Sequence, residues 1–146
     1  MVLYDGIDVG PQISQEALRD ISSEVRREFS IPLEAKLIGM SARVAQQKDY
    51  ETLMKAAAEA LKADPNLTFM IVGDYSGPAH KPYYDRLQQV LRELGIGERF
   101  IFTGFRRDIA RLIRAFDVFA LSTHFEGLPL VIVEAMAESK PVLATR

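Results

Sequence analysis

The 146-residue chain contains no cysteine, which removes disulfides, thiolate metal sites and cysteine nucleophiles and fits a reducing compartment. It has only two histidines, at positions 80 and 124, with no ligand spacing and no cysteine partner, so no structural metal is expected. Long apolar runs are absent as well. The longest, from Leu128 to Val133, is far too short to cross a bilayer. The opening residues from Met1 to Asp8 lack the basic stretch and apolar core of a signal peptide, so the expected location is cytoplasmic. Charge of one sign is not in excess: 18 basic and 20 acidic residues interleave to a net charge of -2. Neither nucleic acid nor an anionic membrane surface is therefore an expected partner, and membrane association of a larger parent protein is not encoded in these residues. No repeat, low-complexity tract, G-x-G-x-x-G fingerprint or G-x-x-x-x-G-K-[ST] loop occurs. Asn66-Leu67-Thr68 matches a glycosylation pattern that acts only on secreted chains and is set aside.

What is present is an ordinary globular composition, 48% hydrophobic, in a chain long enough to bury roughly 70% of its unfolded surface as one domain. Helical and strand-like segments alternate. Ser14 can cap a helix with apolar positions Leu18, Ile21, Val25 and Phe29, acidic Glu16 at its start and basic Arg26 and Arg27 at its end. Lys36 to Ser41 reads as a strand, followed by a helix capped by Asp49 along Leu53, Ala57 and Leu61. Thr68 to Val72 is a second strand. Tyr84, Leu87, Leu91 and Leu94 mark a helix that stops at Gly95. Strands at Phe100 to Thr103, Val118 to Leu121 and Pro141 to Thr145 follow, with a short helix opened by Asp108. The β-branched run Val131, Ile132 and Val133 favours strand by propensity. The spacing nevertheless predicts a helix there, because Pro129 suits a first helical position, the residues from Glu134 to Glu138 are good helix formers, and a crossover must precede a parallel strand at Val142.

This alternation predicts an α/β fold, a Rossmann-like doubly wound parallel sheet of order 3-2-1-4-5. In such a sheet ligands bind where the order reverses, beyond the carboxyl ends of the first and fourth strands. The first strand runs into the loop carrying Arg43 and Lys48, and the fourth into His124-Phe125-Glu126-Gly127-Leu128-Pro129. Two cations facing the amides at the start of the following helix suit a phosphate. Carboxylates repel phosphate, so Glu126 and Glu134, an E-x7-E pair, should face hydroxyl groups, as in a ligand that combines a diphosphate with sugars. The stretch Gly73-Asp74-Tyr75-Ser76-Gly77-Pro78 reads as a flexible turn at the crevice edge. Taken alone, Arg43 with Lys48 reads first as a solvated loop, and Glu134 most simply as a surface helix residue.

Three stretches together resemble the retaining, metal-independent glycosyltransferases of the two-domain GT-B type, the large group often called family 4. They are Ile38-Gly39-Met40-Ser41-Ala42-Arg43 with Lys48, Phe102-Thr103-Gly104 with Asp108-Ile109, and Phe125-Glu126-Gly127-Leu128-Pro129-Leu130 through Glu134-Ala135-Met136-Ala137. The resemblance implies a nucleotide-sugar-binding domain over residues 35–146, incomplete at its C-terminus. Residues 1–34 would form a lead-in segment and helix, with Tyr4 to Asp8 similar to the stretch entering the family's second domain. It implies that Arg43 and Lys48 hold a donor diphosphate in place of a metal, that Glu126 lies by the donor sugar, and that Glu134 accepts from the ribose. Gly127, Leu128 and Leu130 would meet sugar or phosphate, and Phe105 and Arg106 would lie by the base. No cofactor is implied beyond the nucleoside diphosphate sugar itself.

The chain departs from the family at Asp49, where glycine is usual, and at Arg146, where aspartate is common. The family's important histidine belongs to the other domain, so His124 reads as structural or peripheral. The partner expected is an acceptor-binding N-terminal domain, without which the chain should bind donor at most. The reaction implied is hexose transfer to a glycan or lipid-linked acceptor. Two alternatives share the crevice: a GT-B-type nucleotide-sugar epimerase domain and a non-catalytic nucleotide-binding module.

Overall fold

A computed structural model of the chain describes residues 13–145; the expected lead-in similarity at Tyr4 to Asp8, and the departure at Arg146, lie outside these. Five strands, β1 (Lys36–Ser41), β2 (Leu67–Val72), β3 (Phe100–Gly104), β4 (Val118–Leu121) and β5 (Val142–Ala144), form one sheet of order β3-β2-β1-β4-β5. Every named pairing is parallel, so the expected architecture and order are the ones found. Five helices fill the crossovers and flank: α1 (Gln15–Glu28), α2 (Tyr50–Ala63), α3 (Lys81–Leu94), α4 (Ile109–Ala115) and α5 (Leu130–Ala137).

The helices begin and end for local reasons. Ser14 Oγ accepts from the Ala17 amide at 3.1 Å and opens α1. Asp49 accepts from the Thr52 amide at 3.3 Å and opens α2 from a left-handed conformation, φ 42°, which aspartate tolerates better than most residues. Helix α3 turns a different tyrosine inward from the one its spacing suggests. Tyr83, Leu87 and Leu91 are the buried positions. Tyr84 lies half-buried at the rim, stacked on Tyr75 with centroids 4.2 Å apart and edge-on to Phe102. Helix α5 forms despite its β-branched residues. Val131 and Ile132 pack on the core and Ala135 is fully buried, so tertiary packing overrides strand propensity. Pro129 stands at the cap position and not inside the first turn.

The core lies on both faces of β1, β2 and β4, from Leu37, Met40, Met70, Ile71, Phe119 and Leu121. Gly39 of β1 has no room for a side chain: a β-carbon there would lie 2.0 Å from the Phe116 ring. At the amino end of the sheet the buried Arg26 of α1 donates to the carbonyls of Pro32 and Ala35 and to Asp117, whose carboxylate also accepts from the Leu37 amide at 2.7 Å. Helix α1 is thereby fixed to the start of β1 and β4. Among the described residues, no helix is long and apolar enough to cross a membrane.

Candidate functional site

Because β1 pairs with β4, through Ile38 with Val118 and Gly39 with Phe119, the loops leaving their carboxyl ends emerge side by side. Those loops hold most of the residues singled out in the sequence, and they are laced together. Ser122 Oγ donates to the Lys48 carbonyl at 2.9 Å, the His124 amide donates to the Gln47 carbonyl at 2.9 Å, and Gln47 Nε2 donates to the Phe125 carbonyl at 3.0 Å. Above this lacing, the Lys48 ammonium pairs with Glu126, both side chains largely buried at 17% and 18% exposure. The Lys48 hydrogen bond pulls the Glu126 carboxyl below the usual carboxylate range, against the opposing effect of burial and with help from the Thr123 hydroxyl.

Arg43 lies on the same β1 loop with its side chain exposed and, among the described residues, unpaired with any carboxylate. Its backbone is firmly set. The Tyr50 hydroxyl donates to the Ala42 carbonyl at 2.8 Å, and Val44 beside it is fully buried. Burial pushes the Tyr50 phenol pKa up, so this donor stays neutral. Gly127 is exposed, as are Leu128 and Leu130 at 57% and 40%. No side chain caps α5 and the Ile132 amide donates to the Pro129 carbonyl, which leaves the Leu130 and Val131 amides open to an acceptor. Glu134, one turn into α5, is half-buried and has no side-chain partner among the described residues. One turn further on, Glu138 is held by Arg114 through two hydrogen bonds of 2.7 and 2.9 Å, and Lys140 Nζ donates to the Arg114 carbonyl at 2.6 Å. The far end of α5 is thus moored to α4.

The β3 loop divides its two candidate residues. Phe105 is 70% exposed. The Arg106 guanidinium is instead taken up by Asp108, through two bonds of 2.8 Å, and by Glu28 of α1 at 2.9 Å, and it lies over the Phe29 ring. These contacts tie the Arg106 side chain to α1 and to the start of α4. The turn after β2 is not loose at its base. A β-carbon on Gly73 would stand 2.0 Å from the Ala42 carbonyl, the Val44 amide donates to the Asp74 carbonyl, and Gly73 bridges to Gly104. The ends of β1, β2 and β3 are therefore held flush, with Tyr75 against Gly104.

His124 is exposed, its Nδ1 3.7 Å from the Asp49 carboxylate that caps α2. That contact accounts for it as a peripheral residue. Gln47, Ser122 and Thr123 were not singled out in the sequence. The signal available was their position within the two loops, but small polar residues after a strand are common enough that the cross-loop pairing is needed to mark them. A separate open hollow of about 450 Å³ lies between the β1 loop and α3, lined by Gln46, His80, Tyr83 and Arg86 among others.

Comparison with known proteins places this geometry. The profile of the family described as "Glycosyl transferases group 1" matches residues 22–146. The D-inositol 3-phosphate glycosyltransferase of Corynebacterium efficiens is 35% identical over 125 residues, 83% of this chain and 29% of that protein. The chain thus spans under a third of that relative's length. A crystal structure of HepE from Anabaena in complex with UDP-glucose superposes with a TM-score of 0.83 at 30% identity, covering 99% of this chain and 38% of the other. The crystallised C-terminal domain of the glycosyl transferase group 1 protein LpcC from Francisella tularensis superposes with a TM-score of 0.76 at 26% identity, covering 95% of this chain and 70% of that domain. With a profile match over most of its length and a parallel sheet in the order of its structural neighbours, the chain belongs to the group 1 glycosyltransferases and has the fold of their GT-B C-terminal domain.

Proposed function

We propose that the chain is the nucleotide-sugar-binding domain of a retaining, metal-independent glycosyltransferase that transfers a hexose from a nucleoside diphosphate donor to a glycan or lipid-linked acceptor. The observation that carries this reading is the meeting of Lys48 and Glu126 across the β1 and β4 loops, with the unpaired Arg43 on the same loop and the uncapped start of α5 beyond Gly127. Cationic and acidic groups in one crevice suit a ligand that is anionic at one end and hydroxylated at the other. The HepE structure contains UDP-glucose, which supports a uridine nucleotide and a hexose as the first donor to try.

In this reading the diphosphate lies over the β1 loop. Lys48 commits one of its three donors to Glu126 and keeps two for phosphate oxygens, while Arg43 supplies a fork. As the bond between the sugar's anomeric carbon and the diphosphate oxygen breaks, negative charge grows on the leaving group. Fixed cations bind that charge more tightly than the ground state and so lower the barrier. Glu126 faces the hexose hydroxyls, Glu134 the ribose, and the exposed Phe105 ring the base. The acceptor hydroxyl oxygen forms the new bond to the anomeric carbon with configuration kept, its proton passing to the departing diphosphate oxygen, and is delivered by a partner domain that excludes water.

Calorimetric titration of the chain with UDP-glucose, UDP and GDP tests the reading. We expect heat with at least one nucleotide, its loss in Arg43→Ala and a modest weakening in Lys48→Ala; no binding, or binding indifferent to both substitutions, would discard it. Product analysis on the parent protein separates transfer from epimerisation.

A further inference from the structure

Glu126 is anchored through one oxygen only. Its Oε1 accepts from the Lys48 ammonium and from Thr123 Oγ1, the latter at 3.0 Å. Among the described residues nothing donates to Oε2. The Thr123 hydroxyl has three oxygens within reach, the Gln47 carbonyl at 3.1 Å, the Phe125 carbonyl at 3.1 Å and Glu126 Oε1, yet it carries one proton. The ionised acceptor takes it, because charge-assisted hydrogen bonds are the stronger.

Thr123 is itself held in place. Its amide donates to Thr145 Oγ1 at 3.0 Å, and that same hydroxyl donates back to the Thr123 carbonyl at 3.0 Å. Thr145 is in turn fixed by its amide to the Leu121 carbonyl at the end of β4. A β-branched side chain has few χ1 choices, so a clamped backbone gives a clamped hydroxyl. Lys48 could not supply this alone, since its flexible stem lets the ammonium follow either carboxylate oxygen. Two donors converging on one oxygen, one of them on a rigid mount, fix the rotation of the carboxylate and turn the other oxygen outward.

We infer that Thr123 is a positioning residue that locks the Glu126 carboxylate so that its second oxygen meets a hydroxyl of the donor sugar. This rests on the donor-binding reading above and adds to it a residue that touches neither sugar nor phosphate. The consequence is a split between ligands: Thr123 matters for the sugar half of the donor and not for the nucleotide half.

The test is titration of the wild-type chain, Thr123→Val and Thr123→Ser with UDP-glucose and with UDP. We expect Thr123→Val to weaken UDP-glucose about tenfold, as the loss of one charge-assisted hydrogen bond predicts, with UDP unchanged and the UDP-glucose affinity restored in Thr123→Ser. In a Glu126→Gln background the valine should add nothing. If the valine variant does not fold, Thr123→Ala serves the same comparison. Equal loss for UDP and UDP-glucose, or wild-type affinity for UDP-glucose in the variant that lacks the hydroxyl, would overturn the positioning role while leaving donor binding intact. Failure of the wild-type chain to bind either ligand would remove the donor-binding reading and this inference with it.

Discussion

Lys48 and Glu126 lie 78 residues apart in the chain and meet as an ion pair over the junction of β1 and β4. The pair forms where the sheet's change of direction brings a cation and a carboxylate from separate crossovers into contact. Lys48→Ala in the parent enzyme should lower kcat by about a hundredfold or more, the loss of roughly 3 kcal/mol of leaving-group stabilisation, with a smaller change in donor Kd. Steady-state kinetics beside donor titration would measure both, and unchanged kcat would end the assignment.

Phe105 and Arg106 are neighbours with different tasks. Phe105→Ala should weaken UDP binding about tenfold through lost stacking on the base and leave the melting temperature unchanged. Arg106→Ala should do the reverse, costing about 1 kcal/mol through its partly exposed ion pairs to Glu28 and Asp108. Calorimetry and thermal melts on the two variants distinguish these roles.

Gly73→Ala should destabilise the chain by about 2 to 3 kcal/mol, because its new methyl would meet the Ala42 backbone carbonyl, which has no rotamer by which to withdraw. Urea denaturation reads this directly. A variant as stable as the wild type would show that the β1 and β2 loops are free to part.

Acid should loosen the seam between α1 and α4. The Arg106 guanidinium holds the Asp108 carboxyl down at about 2, and Arg111 chiefly holds Glu28 below its ordinary range. Both carboxyls are depressed in the folded chain, so the unfolded chain takes up protons first and stability falls as pH drops from about 5 towards 2. With each side chain about a third exposed, solvent screening limits the whole effect to about 1 kcal/mol. Arg111→Gln should flatten this acid limb in denaturation measured at a series of pH values.

The sheet order was legible because five short β-prone runs alternate with helical spacing, and parallel strands allow few arrangements. The helix over Leu130–Ala137 was legible only through topology, since its β-branched residues spoke for a strand. Arg43, Lys48 and Glu126 could be read from the loops they occupy. The tie of Arg106 to Glu28 could not, because it joins residues far apart through a contact between α1 and α4 that no local pattern reports. Tyr83 displaced Tyr84 from the core for a similar reason: the helix phase is set by its neighbours, and Tyr75 offers the second tyrosine a stacking partner at the rim.

The hydrogen bonds that run between the Gln47–Lys48 and Ser122–Phe125 segments have a kinetic meaning. Walls sewn together one strand spacing apart, about 4.8 Å, cannot swing open to admit a guest. Entry to the crevice would instead proceed by reorientation of the exposed Arg43 and Phe105 side chains. Such rearrangements take picoseconds to nanoseconds, far faster than the microseconds to milliseconds of a hinge. In the reading proposed above, slow steps would then originate in how an acceptor-binding domain comes together with this one.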